Sequence, residues 1–187
     1  MRASRLLDLR RMGLADLPRP RPAAGEVVIR VEAAGICGTD RHLYQGEFPC
    51  RPPVTLGHEF AGRIVDRAPD VSLPLGALVT CDPNIPCGVC PECRRGRPNL
   101  CRANVAIGIH RDGGFAEFAA LPAHRAHVLP DGLSPLHAAF CEPLACTLHG
   151  LDLGAPLPGE RVIVLGGGVI ERVMRAAPSR RLPLLAG

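Results

Sequence analysis

Four cysteines crowded into fifteen residues constrain this chain more than any other feature of its sequence. Cys87, Cys90, Cys93 and Cys101 follow the spacing C-x2-C-x2-C-x7-C. Two-residue gaps let a tight turn direct neighbouring sulfurs at one point, and four thiolates complete the tetrahedral shell of Zn²⁺. With no ligand position left open, we expect a structural zinc lobe over residues 81–103. An iron–sulfur cluster and a set of unrelated buried thiols are the alternatives.

Short strands separated by Gly and Pro dominate the first part of the chain. Residues 26–34 (EVVIRVEAA) alternate in polarity as a strand does. Similar patterns predict further strands over residues 60–65, 77–81, 115–120 and 127–129. Such close spacing favours a compact, β-barrel-like domain. Ser134 then predicts the N-cap of a helix through residue 140, which Pro143 interrupts before a second helix over 144–151.

The composition excludes several classes of protein. The net charge is +4, all 22 basic residues are Arg, and they are scattered along the chain apart from Arg94, Arg95 and Arg97. Aromatic residues make up only 3%, so stacking surfaces are scarce and we expect no nucleic-acid partner. No apolar run reaches the roughly 20 residues of a membrane span, and we find no secretory signal. We therefore expect a cytoplasmic protein without a membrane partner, in which clustered cysteines favour metal binding over disulfides.

The end of the chain carries a different pattern. Residues 161–168 (RVIVLGGG) form an apolar run ending in glycines, which is typical of a strand buried in a parallel sheet. The glycines begin a G-x-G-x-x-G dinucleotide fingerprint, but Glu171 stands in place of the third glycine. The segment after Ile170 contains Pro178 and Pro183, and it does not resemble the amphipathic helix that should follow. We expect a truncated chain, for which a frameshift near codon 170 is one explanation.

Three further segments carry ligand-type residues among small ones: GICGTDRH (35–42), GHEFAG (57–62) and EPLAC (142–146). None is specific alone, because a lone Cys is usually a small buried hydrophobe. Together with the four-cysteine lobe and GERVIVLGGG (159–168), in this order, they resemble the zinc-dependent medium-chain dehydrogenase family of the alcohol, sorbitol and threonine dehydrogenase type. The resemblance covers roughly residues 1–170.

The resemblance implies a mainly β fold. Residues 1–155 would form a GroES-like β-barrel catalytic domain with the zinc lobe, and residues 156–187 the truncated start of an NAD(P)-binding Rossmann α/β domain, represented by its first strand. It also implies two zinc ions per chain, one catalytic and one structural, and homo-oligomers among full-length members. The cofactor-binding positions would be Gly166, Gly168, Val169 and Ile170.

Carried over residue by residue, the resemblance makes Cys37 and His58 ligands of the catalytic zinc. The third protein ligand stays open between Glu59, which follows His58 directly, and Glu142. Glu142 stands where classical alcohol dehydrogenases place a second Cys, and this points to the polyol or threonine branch. It either binds zinc directly or holds the bound water as an outer-sphere group.

The implied reaction is hydride transfer from a zinc-bound secondary alcohol or polyol to NAD or NADP. Thr39 and His42 match the proton-relay positions of the family, and a hydroxyl and an imidazole suit that task. The alternative is a catalytically inactive zinc-binding fragment that lacks the cofactor domain. The sequence leaves open which alcohol is oxidised and which of the two cofactors accepts the hydride.

Overall fold

The computed structural model describes residues 1–157 and 160–176. It contains two compact units, the first from Met1 to Ala139 and the second beginning at Phe140. The domain limits expected from the sequence, 1–155 and 156–187, stay a prediction. In the described ranges, no helix combines the length and the apolar character needed to cross a membrane.

The first unit is built mainly of strands. In chain order they are β1 (Arg2–Asp8), β2 (Arg11–Asp16), β3 (Glu26–Gly35), β4 (Val54–Thr55), β5 (Glu59–Arg67), β6 (Leu78–Cys81), β7 (Asn84–Ile85), β8 (Val105–Ala106), β9 (Phe118–Pro122) and β10 (Ala126–Val128). The helices of this unit are α1 (Gly38–Gln45), α2 (Pro91–Arg94) and α3 (Pro135–Ala139), and the second unit contains α4 (Cys141–Gly154) and α5 (Val169–Ala176).

An antiparallel sheet with the strand order β10-β6-β5-β3-β9 forms the body of the first unit. Its inner face buries an apolar cluster, which includes Val27, Ile29, Phe60, Ile64, Val79, Ile107 and Leu121. A second sheet, β2-β1-β4, is tied to the first through the backbone of Phe115, whose N–H donates to Leu56 and whose carbonyl accepts from Ser4. The curled antiparallel arrangement confirms the GroES-like β-barrel that the sequence predicts.

The β1–β2 hairpin is absent from the sequence prediction. Of the seven residues of β1, only Ala3 and Leu6 are buried. The register with β2 also shifts between Leu6 and Asp8. The regular alternation that identifies a strand is therefore missing from this segment. Its strand conformation depends on pairing with β2, the other arm of the hairpin, and with β4, which lies more than 40 residues further along the chain.

The strands β3, β5, β6 and β10 lie close to their predicted positions, the short strands β4, β7 and β8 are absent from the sequence prediction, and the strand predicted over 115–120 is displaced. That strand, β9, begins only at Phe118. The residues before it bond to the second sheet instead, as the Phe115 N–H does with the Leu56 carbonyl at 3.0 Å.

The helices after Ser134 also differ from the prediction. The Ser134 Oγ accepts a hydrogen bond from the His137 N–H at 3.3 Å, as an N-cap does, but α3 ends at Ala139. The next helix begins before Pro143 rather than after it. Pro143 lies in the first turn of α4, where a backbone N–H has no partner within the helix, so the proline does not interrupt it.

The second unit departs from the sequence prediction at the glycine-rich run. Residues 161–167 are not assigned to a strand, and Ile163 and Leu165 are 84% and 86% exposed. A single strand has no ladder to join, and the described residues supply no partner here. A helix, α5, follows directly, which corrects the expectation of no helix after residue 170. Residues Pro178 and Pro183 of the predicted non-helical segment lie outside the described residues, as does Gly159.

Candidate metal centres

The four predicted lobe cysteines come together around the short helix α2. A small sheet of β7 and β8 closes the base of this lobe. The four sulfurs lie within 4.8 Å of one another, with Cys90 Sγ 3.4 Å from Cys93 Sγ and 3.9 Å from Cys101 Sγ. Tetrahedral zinc with Zn–S bonds of about 2.3 Å requires sulfur–sulfur distances of about 3.8 Å. The sulfurs of the lobe therefore lie close to the separations that a tetrahedral zinc site needs.

Backbone amides stabilise thiolate charge in the same lobe. The Cys90 N–H donates to Cys87 Sγ at 3.4 Å, and the Cys87 N–H donates to Cys101 Sγ at 3.3 Å. Bonds from the amides of Val89 and Cys90 lower the pKa of Cys87 to about 6. Desolvation and the neighbouring Cys90 sulfur raise the pKa of Cys93 to about 12. Sulfurs this close do not all ionise unless a cation compensates their charge, which again favours a metal ion.

A second cluster forms at the end of β3. Cys37, His58 and Glu59 each offer a ligand atom, and these atoms lie within 4.8 Å of one another. The register pairs Gly35 with Glu59, so the chain leaving β3 passes the start of β5. His58 and Glu59 are 7% and 9% exposed. A thiolate, an imidazole and a carboxylate in a mostly buried site form a ligand set that suits zinc.

Gly35 is the residue that makes room for the Glu59 side chain. A Cβ atom at residue 35 would overlap Glu59 Oε2 and would lie 3.3 Å from the Glu59 Cβ. The two residues face each other directly across the β3–β5 pair. Any larger residue at position 35 would thus displace the carboxylate from the cluster.

Asp40 is a site residue that the sequence analysis did not identify. Its carboxylate accepts hydrogen bonds from the Cys37 N–H at 2.8 Å and from the Gly57 N–H at 3.4 Å. The same carboxylate lies 3.6 Å from His58 Nδ1, and Asp40 is buried. At 3.6 Å this contact is longer than a hydrogen bond, but a carboxylate beside one ring nitrogen is a common feature of metal-binding histidines. The signal was available, because Asp40 lies within the GICGTDRH segment.

The predicted relay residues lie on the helix that begins beside Cys37. Thr39 Oγ1 is 3.6 Å from Cys37 Sγ. His42 is exposed, and its Nδ1 lies 2.6 Å from a Glu47 carboxylate oxygen. The structure therefore places Thr39 against the cluster and His42 at the surface, where it can exchange protons with solvent.

Glu142 lies in the second unit, in the first turn of α4. Its Oε1 is 3.6 Å from Cys146 Sγ, one helical turn further along. The cluster of the first unit consists of Cys37, His58 and Glu59. The choice between Glu59 and Glu142 as third ligand stays a prediction.

The predicted cofactor loop is occupied by its own side chains. Gly166 has a φ of +116°, and a Cβ atom there would lie 2.6 Å from Glu171 Oε1. A Cβ at Gly168 would lie 2.8 Å from the other oxygen of the same carboxylate. Arg172 Nε donates to the Gly167 carbonyl at 3.0 Å. The Glu171 carboxylate thus lies beside the glycines where a pyrophosphate would be held, and the assignment of Gly166, Gly168, Val169 and Ile170 as cofactor-binding residues stays a prediction.

A GroES-like β-barrel unit with a four-cysteine cluster and a separate Cys–His–Glu cluster, both able to hold a metal ion, defines the class of this protein as that of the zinc-type dehydrogenase domains. Residues 23–131 match the alcohol dehydrogenase GroES-like domain, and the chain belongs to this family. The predicted resemblance to zinc-dependent dehydrogenases is thereby confirmed.

Known relatives agree with this assignment. The chain is 41% identical to L-threonine 3-dehydrogenase of Streptomyces coelicolor over 89% of its own length and 50% of that enzyme. It is also 41% identical to L-galactonate-5-dehydrogenase of Escherichia coli, over 81% of this chain and 45% of the relative. A Sinorhizobium meliloti protein assigned as a zinc-binding dehydrogenase, with NADP bound, superposes with a TM-score of 0.92 at 49% identity. That match covers 97% of this chain and 54% of the other. The chain spans about half the length of the curated relatives it matches.

Proposed function

We propose that this chain is the zinc-binding catalytic part of an NAD(P)-dependent alcohol or polyol dehydrogenase that acts in the cytoplasm on a small-molecule alcohol. The observation that carries the proposal is the second cluster, Cys37, His58 and Glu59, which is separate from the four-cysteine lobe. A protein that needed zinc only for folding would require the lobe alone. A mostly buried site of mixed ligands suits a catalytic ion that keeps one position for substrate.

We assign Cys37, His58 and Glu59 as the residues that hold the catalytic ion, and the four cysteines of the lobe as those that hold the structural ion. When bound, zinc at such a site supplies Lewis acidity to an alcohol oxygen. The Cys37 thiolate and the Glu59 carboxylate together balance the charge of the divalent ion. Asp40 lies 3.6 Å from His58 Nδ1, and a carboxylate beside that ring nitrogen would favour the orientation in which the imidazole faces the cluster.

Thr39 and His42 would carry the alcohol proton away. The Thr39 hydroxyl lies next to Cys37 Sγ, so it can accept a proton from an oxygen beside the cluster and pass on its own. His42 Nδ1 lies 2.6 Å from a Glu47 carboxylate oxygen, and the His42 ring is exposed to solvent. The exposed ring can then release the proton to water.

Glu142 would serve either as a ligand or as an outer-sphere group, as in the sequence analysis. The named relatives act on threonine and galactonate, and a substrate of the polyol or hydroxy-acid kind follows for this chain by similarity. Because Glu171 lies beside the glycines of the predicted cofactor loop, we assign no step of hydride transfer to residues 166–171.

The proposal is tested by measuring zinc content and oxidation on the purified chain. We expect two zinc ions per chain by mass spectrometry, and one after the substitution Cys37→Ser. Reduction of NAD or NADP at 340 nm would be followed with secondary alcohols, polyols and L-threonine. A wild-type chain that binds only one zinc ion would refute the assignment of the second cluster.

A catalytically inactive zinc-binding fragment is the second candidate, and the Glu171 carboxylate against Gly166 and Gly168 favours it. The two candidates share the metal sites and differ in cofactor binding. Two bound zinc ions without NAD(P)H formation and without cofactor binding in calorimetry would identify the fragment.

A further inference from the structure

The Gly57 peptide, which precedes the ligand His58, is enclosed by a glycine-rich segment. The segment 113–115 runs along residues 55–57 and donates three backbone hydrogen bonds to them. They are Gly113 N–H to the Thr55 carbonyl at 2.8 Å, Gly114 N–H to the Gly57 carbonyl at 2.8 Å and Phe115 N–H to the Leu56 carbonyl at 3.0 Å. On its other side, the Gly57 N–H donates to Asp40. Both the N–H and the carbonyl of Gly57 therefore have hydrogen-bond partners.

The contact on the Gly57 carbonyl leaves no space for side chains. A Cβ atom at Gly108 would overlap the Gly57 carbonyl oxygen and would lie 3.1 Å from the His58 nitrogen. A Cβ at Gly113 would overlap the same oxygen and would lie 2.5 Å from the Gly108 Cα. These neighbours are backbone atoms, which cannot move aside as the end of a flexible side chain can.

Gly57 itself is held in a conformation that suits glycine. Its φ is +92°, and a Cβ atom there would lie 2.5 Å from the Phe115 ring. The backbone direction at this residue sets where the His58 side chain leaves the chain. A displacement of the Gly57 carbonyl consequently changes the position of the imidazole relative to Cys37 and Glu59.

We propose that Gly108 and the segment 113–115, hereafter the glycine clamp, form a positioning element for the His58 ligand. This inference rests on the proposed function, because it assumes that the Cys37–His58–Glu59 cluster holds an ion. The clamp contributes no ligand atom. The clamp keeps the peptide before His58 in the one position from which the imidazole faces the cluster. The affinity for the metal ion therefore depends on the clamp, as it does on other outer-sphere contacts.

The test compares two glycines that have similar backbone strain and different surroundings. Gly108 has a φ of +79° and Gly132 a φ of +85°, but only Gly132 has open space where a Cβ would be placed. Gly108→Ala and Gly132→Ala therefore share the cost of a positive φ and differ in the contact with Gly57. We would measure zinc per chain in buffers of graded free zinc, together with thermal unfolding.

We expect Gly108→Ala to lower the affinity for the second zinc ion about 10-fold or more, while the lobe keeps its zinc. Gly132→Ala should bind both ions with the affinities of the wild type. Equal affinity for the second ion in both variants would overturn the proposal. If Gly108→Ala does not fold, the variant Phe115→Leu tests the proposal instead. It removes the aromatic ring that packs on Gly57 and adds no atom beside the Gly57 carbonyl. We expect this variant to bind the second ion more weakly than wild type, and unchanged affinity would equally overturn the proposal. A wild-type chain with one zinc ion would instead refute the proposed function.

Discussion

Replacing Asp40 by Asn should weaken the catalytic zinc without removing the structural one. The substitution keeps the size of the side chain and removes its charge. Asp40 is 4% exposed, and its carboxylate contacts the Cys37 N–H, the Gly57 N–H and His58 Nδ1 at 2.8, 3.4 and 3.6 Å. Hydrogen bonds to a charged group contribute about 1.5–3 kcal/mol, against about 1 kcal/mol for neutral ones. The difference is about 0.5–2 kcal/mol for each hydrogen bond. Loss of an outer-sphere partner of a metal ligand typically weakens metal affinity about 10- to 100-fold, and because the bond from Gly57 is long we take the lower end of that range.

The expected loss is about 1.4 kcal/mol of zinc-binding free energy, which corresponds to about a 10-fold weaker affinity. Asn is preferable to Ala, because Asn keeps one acceptor oxygen and loses the other, whereas Ala would leave both the Cys37 and the Gly57 N–H without an acceptor, at a cost of about 1–3 kcal/mol each. The assay is competition for zinc with a chromophoric chelator at fixed pH. The four-cysteine lobe serves as an internal control in the same molecule. If each zinc ion leaves Asp40→Asn at the same chelator concentration at which it leaves the wild type, the Asp40 carboxylate does not position His58.

Four further predictions follow from the described contacts. Cys93→Ser should remove the lobe zinc and lower the melting temperature, as seen by mass spectrometry and calorimetry, because three sulfurs no longer complete the tetrahedral shell. Gly35→Ala should displace Glu59 and reduce affinity for the second zinc, whereas full affinity would show that Glu59 is not a ligand. Removal of both ions with a chelator should lower the melting temperature of wild type more than that of Cys93→Ser, since only wild type has a lobe ion to lose. The hydrogen bond from the Arg2 N–H lowers the pKa of Glu117. This hydrogen bond therefore contributes fully to stability above the ordinary pKa of a Glu, and the contribution is lost as pH falls through the lowered pKa. Glu117→Gln should therefore reduce the fall in melting temperature between pH 7 and pH 3, and an unchanged fall would contradict this assignment.

The lobe was predictable because its chemistry is local. Four thiols separated by two, two and seven residues can reach one point whatever surrounds them, and the structure brings their sulfurs together as expected. The second cluster was found only through the family resemblance, because Cys37 and His58 are 21 residues apart in sequence. Its geometry comes from the pairing of β3 with β5, which no spacing rule predicts.

Predictions were wrong where a neighbouring element, rather than the local pattern, decides the conformation. The β1–β2 hairpin lacks alternation and depends on its partner strands. The strand predicted from residue 115 begins at Phe118, because the preceding residues bond to residues 55–57. Pro143 suggested a break in a helix, and its place in the first turn of α4 makes it harmless.

The sequence by itself predicted the lobe ligands, because ligand type and short spacing are properties of the chain. Its resemblance to a known family predicted the class of the protein and the roles of Cys37 and His58. Only the tertiary structure showed that Asp40 supports His58, that Gly35 leaves room for Glu59 and that Gly108 and Gly113 enclose the Gly57 carbonyl. Each of these is a contact between residues brought together by antiparallel pairing or loop packing. Which backbone segments approach within a few ångströms is decided by the tertiary fold, and the number of residues between two positions does not predict that distance.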